Sequence, residues 1–218
     1  MRKRLIISLS LLILLTTITS QQSLIISKFS IKKIIIENNL LLKDKDVRDI
    51  LIPFYNENLL FLKNIEVKKA LMQNSFIDSF EIKKKYPGTL KIKIFEKKPI
   101  AILFNKKNKF YLSEKIDLIE FQSLPNYKNL PHIFGNKEDF KIFYINLKKI
   151  NFPLNIIKKY TLYETNRWDL EIKNKKVIKL PSDNYIKSLE SYLKLKNKNG
   201  FKKYKLFDYR IKNQLILK

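Results

Sequence analysis

KKKYPGTLKIKIFEKKPIAIL, residues 83–103, decides how this chain is read. Leu90, Ile92 and Ile94 alternate with Lys91, Lys93 and Phe95, the period-two pattern of a half-buried strand. Tyr86-Pro87-Gly88-Thr89 precedes it as a turn. Pro87 sets φ at the second turn position, and Gly88 is expected to supply the positive φ of a type II turn. With only three glycines in 218 residues, one placed here argues for a tight hairpin. The strand then runs into Glu96-Lys97-Lys98-Pro99-Ile100-Ala101. Pro99 cannot donate to a ladder, so it suits an edge or a junction.

Upstream, SFIDSFEIKKKY reads as the first arm of the hairpin, with Phe76, Asp78, Phe80, Ile82 and Lys84 on one face. Two short helices precede it. Asp44 is a candidate N-cap for one carrying Val47, Ile50 and Leu51; Asn64 is a candidate cap for one carrying Val67, Ala70 and Leu71. KFSIKKIIIENN, from Lys28, is β-branched and ends at an Asn-Asn break, as a strand would. The order is strand, helix, helix, strand, strand.

At the amino terminus a basic tail, Met1 to Arg4, meets a charge-free apolar run. Leu5 to Ser20 spans about 24 Å as a helix, short of a hydrocarbon core of roughly 30 Å. Continuing through Ile26 gives about 33 Å, which suffices. A cleaved secretory signal has the same outline, but no Ala-x-Ala site comes after it, and Thr19 and Ser20 substitute weakly. The reading favoured is an uncleaved signal anchor over residues 5–27. Arg2, Lys3 and Arg4 keep the tail inside, although Lys28, Lys32 and Lys33 blur the asymmetry. Residues 28–218 are then exported.

Downstream, IAILFN and KFYLSEKIDLIEF read as successive strands, followed by Leu130-Pro131-His132-Ile133-Phe134-Gly135, where His132 is expected in a loop. Phe140, Phe143, Tyr144 and Leu147 recur at helical spacing before Pro153. KKYTLYE and RWDLEIKNKKVIKLP continue as strands, the second turning at Asn174-Lys175, where Asn tolerates positive φ. Ser182 is a candidate cap for a helix with Tyr185, Ile186, Leu189, Tyr192 and Leu193 on one face and Gly200 just past it. KYKLFDYRIKNQLILK closes the chain as strand, Lys-Asn turn, strand. The fold class is α+β.

Composition narrows function by exclusion. There are no cysteines and one histidine, which removes disulfides, thiolate chemistry and most metal and general-base sites. No nucleophile elbow, phosphate loop or ligand cluster is visible, so no catalytic residue, metal or cofactor is assigned. The net charge of +25 suggests nucleic acid at first sight. Forty of the 45 basic residues are lysine, however, spread along the whole chain among abundant Ile and Asn. That pattern fits drift toward A and T better than a nucleic-acid footprint. Arginine survives at five positions, among them Arg167 and Arg210, where a planar bidentate guanidinium can be needed. Each is expected to pair with a carboxylate and brace its domain. Trp168 reads as a packing residue.

The strand-helix-helix-strand-strand order of residues 28–97 resembles a POTRA domain, a small exported protein-binding module. The closer resemblance is to the bacterial cell-division family FtsQ/DivIB and covers nearly the whole chain. It rests on the turn at Pro87 and Gly88, on Glu96 and Pro99 before Ala101, on Arg167-Trp168-Asp169-Leu170 with Leu180-Pro181, and on Asp208 and Arg210. SEKI, Ser113 to Ile116, lacks the family's Asp and Gly, so that turn must be built differently. The resemblance implies a cytoplasmic tail (1–4), an inner-membrane transmembrane anchor (5–27), a POTRA domain (28–97) and a mixed, mainly antiparallel β domain with flanking helices (98–218). It implies a non-enzymatic scaffold at the division septum, linking early and late members of the divisome and binding the coiled-coil proteins FtsB and FtsL. Binding would be by strand pairing at Gln214 to Lys218 or at Leu206 to Ile211, with Leu206, Tyr209, Arg210, Ile211, Gln214, Leu215, Ile216 and Leu217 as contacts. No nucleic acid and no small-molecule substrate is implied.

Two other classes compete. A different POTRA-bearing envelope assembly or secretion component would carry a membrane barrel after its repeats, and about 120 residues with interspersed helices are too few and too mixed for one. A lysine-rich binder of envelope polyanions would lose its binding in salt and ignore changes to the terminal strands.

Overall fold

A computed structural model describes residues 2–105 and 108–218, without the side chains of residues 2 and 16–27. The chain forms two compact units, Met1–Lys97 and Lys98–Lys218.

The first unit begins with helix α1, Arg2–Lys28. From Leu5 to Leu15 its leucines and isoleucines are exposed at nearly consecutive positions, so they cover every face of the helix. Among the described residues no helix is long and apolar enough to cross a membrane. The expected span, 5–27, extends over residues whose side chains lie outside those described.

A three-stranded sheet with two helices comes next: β1 (Lys33–Glu37), α2 (Asp44–Leu51), α3 (Asn64–Leu71), β2 (Ile77–Lys85) and β3 (Thr89–Glu96). Strand β3 lies in the centre, parallel to β1 and antiparallel to β2. Leu90, Ile92 and Ile94 of β3 are fully buried, with Val47 and Leu51 of α2 and Val67 and Leu71 of α3 in the same unit's core. Asp44 and Asn64 are the first helical residues rather than caps; Lys43 and Lys63 hold the cap positions without a side-chain bond. Here acidic residues in the first turns of both helices, Asp44, Asp46 and Glu66, meet the positive helix end instead.

The hairpin turn is not type II. The Tyr86–Pro87 bond is cis, and Gly88 does not adopt positive φ. Glycine is needed for close approach: a Cβ there would lie 2.5 Å from the Ser30 carbonyl oxygen. The Gly88 carbonyl accepts the N–H groups of Lys32 and Lys33, which ties the turn to the chain leaving α1.

The second unit is a nine-stranded mixed sheet: β4 (Pro99–Asn105), β5 (Asn108–Ser113), β6 (Leu118–Glu120), β7 (His132–Phe134), β8 (Ile157–Leu162), β9 (Trp168–Ile172), β10 (Lys176–Lys179), β11 (Leu206–Asp208) and β12 (Ile216–Leu217). Helices α4 (Lys137–Lys149) and α5 (Tyr185–Leu195) contribute to one hydrophobic core with the sheet. The spatial order is β12-β11-β10-β9-β8-β7-β4-β5-β6. Pro99 opens β4 beside an irregularity in the ladder, the position a strand allows for proline. Asn136 caps α4, its side chain accepting the Asp139 N–H at 2.8 Å. Phe140, Phe143, Tyr144 and Leu147 of α4 are buried. Trp168 stacks on Phe143 with ring centroids 4.8 Å apart, so it is a core residue.

Three local features differ from what the sequence predicts. Asn184, in the left-handed region, precedes α5, and Ser182 caps nothing. Gly200 lies in a later short turn with no atom near a Cβ and no positive φ. His132 is not in a loop; it opens β7, between Ile102 of β4 and Lys159 of β8. Partial burial, with Lys109 and Lys159 nearby, holds its imidazole pKa below the usual value.

The SEKI turn is built by Ser113, whose Oγ accepts the N–H groups of Lys115 and Asp117. Ile116 takes φ 64°, which is unfavourable for a β-branched residue. Its side chain is buried in the core, and that burial holds it there. At the other turn Asn174 and Lys175 both adopt positive φ.

Candidate functional site: the carboxyl-terminal sheet edge

Strand β12 forms one edge of the large sheet, and β6 forms the other. It pairs antiparallel with β11, Phe207 opposite Leu217 and Asp208 opposite Ile216. Strand β11 also pairs, in parallel, with β10. Leu206–Asp208, the β11 part of the predicted Leu206 to Ile211 segment, is therefore enclosed on both sides and offers no free edge. The chain reaches this arrangement through α5, which carries it across so that β11 runs parallel to β10, and through Asn213, whose φ of 60° lets β12 fold back.

The direction of the outward backbone groups is set by register. Lys218 N–H donates to the Leu206 carbonyl, and Leu206 N–H donates to the Lys218 carbonyl at 2.9 Å. In an antiparallel ladder the neighbouring pair is then the non-bonded kind, so the N–H and C=O of Leu217 point away from β11. Among the described residues no strand accepts them.

Side chains of the predicted contacts divide into two groups. Arg210, Ile211, Gln214 and Ile216 are exposed. Tyr209 is buried, and Leu215 and Leu217 are half-buried against the hydrophobic core, while Leu206 is half-buried as well. Of the predicted apolar contacts, Tyr209, Leu215 and Leu217 pack against the core, while Ile211 and Ile216 remain exposed. The chain turns between Ile211 and Gln214, and the apolar residues on either side serve the core. Beside this edge a groove of about 650 Å³ runs between the start of α5 and the 209–215 segment, lined by Asp183, Lys187 and Ser191 opposite Arg210, Lys212 and Gln214.

The two arginines are paired locally. Arg210 clasps both carboxylate oxygens of Asp208, Nε to Oδ1 at 2.9 Å and Nη2 to Oδ2 at 2.6 Å. That grip holds the Asp208 carboxyl below the usual carboxylate range. Arg167 lies 3.3 Å from Asp169 and stacks over the Tyr163 ring at 4.3 Å. Burial pushes the Asp169 carboxyl up, against the opposing pull of Arg167, Lys179 and Arg210. Lys179 pairs across strands with both Asp169 and Asp208, so these side chains form one row over β9, β10 and β11. Each pairing bridges residues two apart, so neither arginine braces separate elements by itself; the cross-strand lysine was not legible from spacing.

In the first unit, Glu96 turns its carboxylate onto the loop between β1 and α2. The nine-residue strand β2 forms one edge of the small sheet, and a second groove lies between it and α3, lined by Ile65, Lys68, Met72, Asp78, Phe80 and Ile82. Among the described residues no group of His, Cys, Asp and Glu side chains is placed to hold a metal.

The family model for the FtsQ-type POTRA domain matches residues 29–97. Over 197 residues the chain is 25% identical to the cell division protein FtsQ of Rickettsia conorii, covering 87% of this chain and 72% of that protein. The cell division protein FtsQ of Rickettsia bellii is 26% identical over the same shares of each chain. That of Cellvibrio japonicus is 27% identical over 84 residues, 38% of this chain and 25% of its own length.

Proposed function

This chain belongs to the FtsQ/DivIB family of cell-division proteins, and from that premise we propose that it is a non-enzymatic scaffold of the division septum. Its partners are members of the division machinery, among them the coiled-coil proteins FtsB and FtsL. The observation that carries the reading is the open outer side of β12. A partner strand laid along it would take up the free N–H and C=O of Leu217, the mode by which extended segments add to a sheet edge. Ile211, Gln214 and Ile216 flank that edge and would select the partner's side chains, with Arg210 and Lys212 meeting acidic ones. A second contact, used in recruitment, would lie on the POTRA domain.

In this reading α1 is the membrane anchor, with the basic tail 1–4 in the cytoplasm and residues 28–218 in the periplasm. Its support is the all-round apolar surface of residues 5–15 and the apolar sequence that continues it. Pull-down of the coiled-coil partners by the full chain in lipid nanodiscs tests the scaffold, against a chain truncated after Lys212 and shown folded by circular dichroism. Loss of binding by a folded truncation is expected. Retained binding would move the interface to the POTRA domain, and binding of polyanions alone, abolished by salt, would overturn the reading.

A further inference from the structure

We propose that the anchor-proximal end of the POTRA domain docks on the surface of an anionic lipid bilayer. The proposal rests on α1 being the membrane span. A helix of 27 residues is about 40 Å long, close to the full thickness of a bilayer with its headgroups, so Lys28 at its end falls in the headgroup layer.

The chain just past Lys28 is held tightly to that level. The Phe29 carbonyl accepts the Leu59 N–H at 2.8 Å, and Ile31 exchanges backbone bonds with Asn56 and Glu57. Lys32 and Lys33 donate to Gly88 in the β2–β3 turn. Two loops, 55–63 and 85–89, are thereby drawn to within a few residues of the helix end. At about 3.8 Å per residue, Phe61 is on the order of 15 Å from Lys28.

These loops carry side chains that water does not favour. Phe61 is 71% exposed and Leu60 is 45% exposed, although the buried Leu59 and Leu62 on either side already supply the core. Tyr86, at the turn, is 56% exposed and meets Phe29 edge to face at 5.9 Å. An aromatic pair beside an exposed Leu-Phe tip is the composition of the membrane–water interface, where amphipathic rings sit at headgroup level. Lys28, Lys32, Lys33, Lys63 and Lys85 lie in these segments, all exposed, and across residues 28–33, 55–63 and 85–89 the one acid is the exposed Glu57. Each lysine held near an anionic surface adds to the attraction. The same charge tells against an uncharged surface as the occupant, and the adjacency to the helix end tells against a globular partner, which would have to enter the headgroup layer to reach Phe61. Docking would fix the POTRA domain's tilt on its anchor.

The chain has no cysteine, so single replacements give unique reporter sites. Leu12→Cys reads the span, Phe61→Cys the docking tip and Gln73→Cys the exposed turn at the opposite end of α3. Each is spin-labelled in the full chain, in nanodiscs of phosphatidylglycerol or of phosphatidylcholine, and its accessibility to oxygen and to a nickel chelate is measured. The expected result is lipid burial at residue 12 in both lipids, water exposure at 73, and at 61 a chelate accessibility at least threefold lower in phosphatidylglycerol. Lys32→Glu with Lys85→Glu, in the Phe61→Cys background and folded by circular dichroism, should return residue 61 to water. If residue 61 is as accessible as 73 while 12 is buried, or equally protected in both lipids, the docking proposal fails and the span stands. A water-exposed residue 12 would instead remove the span.

Discussion

Glu96 accepts the backbone N–H of Leu41 at 2.7 Å, and the same carboxylate takes the N–H groups of Leu40 and Leu42 at 3.0 and 2.9 Å. One side chain at the end of β3 thus satisfies three consecutive donors in the loop that leads from β1 into α2, more than 50 residues away in sequence. The loop has no other regular structure to absorb them, and Leu42 must be buried at its end. Glu96 therefore closes this unit by tying the end of β3 to the loop before α2.

Replacing Glu96 by alanine should destabilise the domain by roughly 1.5–3 kcal/mol, the scale of lost hydrogen bonds to a charged acceptor. Glu96→Gln, which keeps one acceptor oxygen, should cost less. Urea unfolding gives the energies, and amide exchange at residues 40–42 should quicken in both variants ahead of the rest of the domain.

Gly88 and Gly200 make a matched pair. Alanine at 88 places a methyl 2.5 Å from a backbone carbonyl oxygen that cannot rotate away, so the turn or residue 30 must shift. A cost of about 1–3 kcal/mol is expected, in the range of overpacking. Alanine at 200 meets nothing within 4 Å and φ is not positive, so that variant should be neutral or gain up to about 1 kcal/mol by limiting the unfolded chain. Thermal melts of the two single variants check the order.

Alternation and helical spacing made much of this fold readable. Leu90, Ile92 and Ile94 all point inward as their period requires, and Phe140 to Leu147 bury one face of α4. The features that escaped were those set by tertiary contact. The need for glycine at 88 comes from Ser30, 58 positions away, and not from the turn's own dihedrals. Ile116 sits at φ 64° against local preference because its side chain completes the core. Asp44, Asn64 and Ser182 have cap chemistry, but the chain enters each helix from a direction that leaves their side chains unused as caps. At the candidate edge, the composition announced a strand. Only the sheet order showed that β12 is an edge strand and that Leu215 and Leu217 serve the core.

The two aspartates over β9 and β11 should give opposite pH responses. Arg210 lowers the Asp208 pKa below its unfolded value, so its contribution is complete at neutral pH and is lost as pH falls through the folded value, below about pH 4. Burial raises the Asp169 pKa, so its ionised form is penalised in the fold at neutral pH, and the penalty fades as pH falls through that raised value. Asp208→Asn should lose less stability than wild type as pH drops below about pH 4, whereas Asp169→Asn should lack the gain in stability that wild type makes as pH falls toward that range. Urea midpoints from about pH 2 to 7 for both variants test the signs.

Leu217 and Lys218 are neighbours whose N–H groups face opposite ways, and that difference separates pairing from folding. Lys218 donates inward to Leu206, whereas the Leu217 N–H points out from the edge. Proline at 217 removes a donor that the fold does not use, and edge strands tolerate it there. Proline at 218 removes an internal bond. If a partner strand adds to β12, Leu217→Pro should weaken partner binding at least tenfold, about 1.4 kcal/mol, while the urea midpoint moves little. Lys218→Pro should lower the midpoint more. Titration of each nanodisc-held variant with the partner, beside its unfolding curve, gives both numbers. Full affinity in Leu217→Pro would place the contact on side chains such as Ile211 and Ile216 and exclude strand pairing through Leu217.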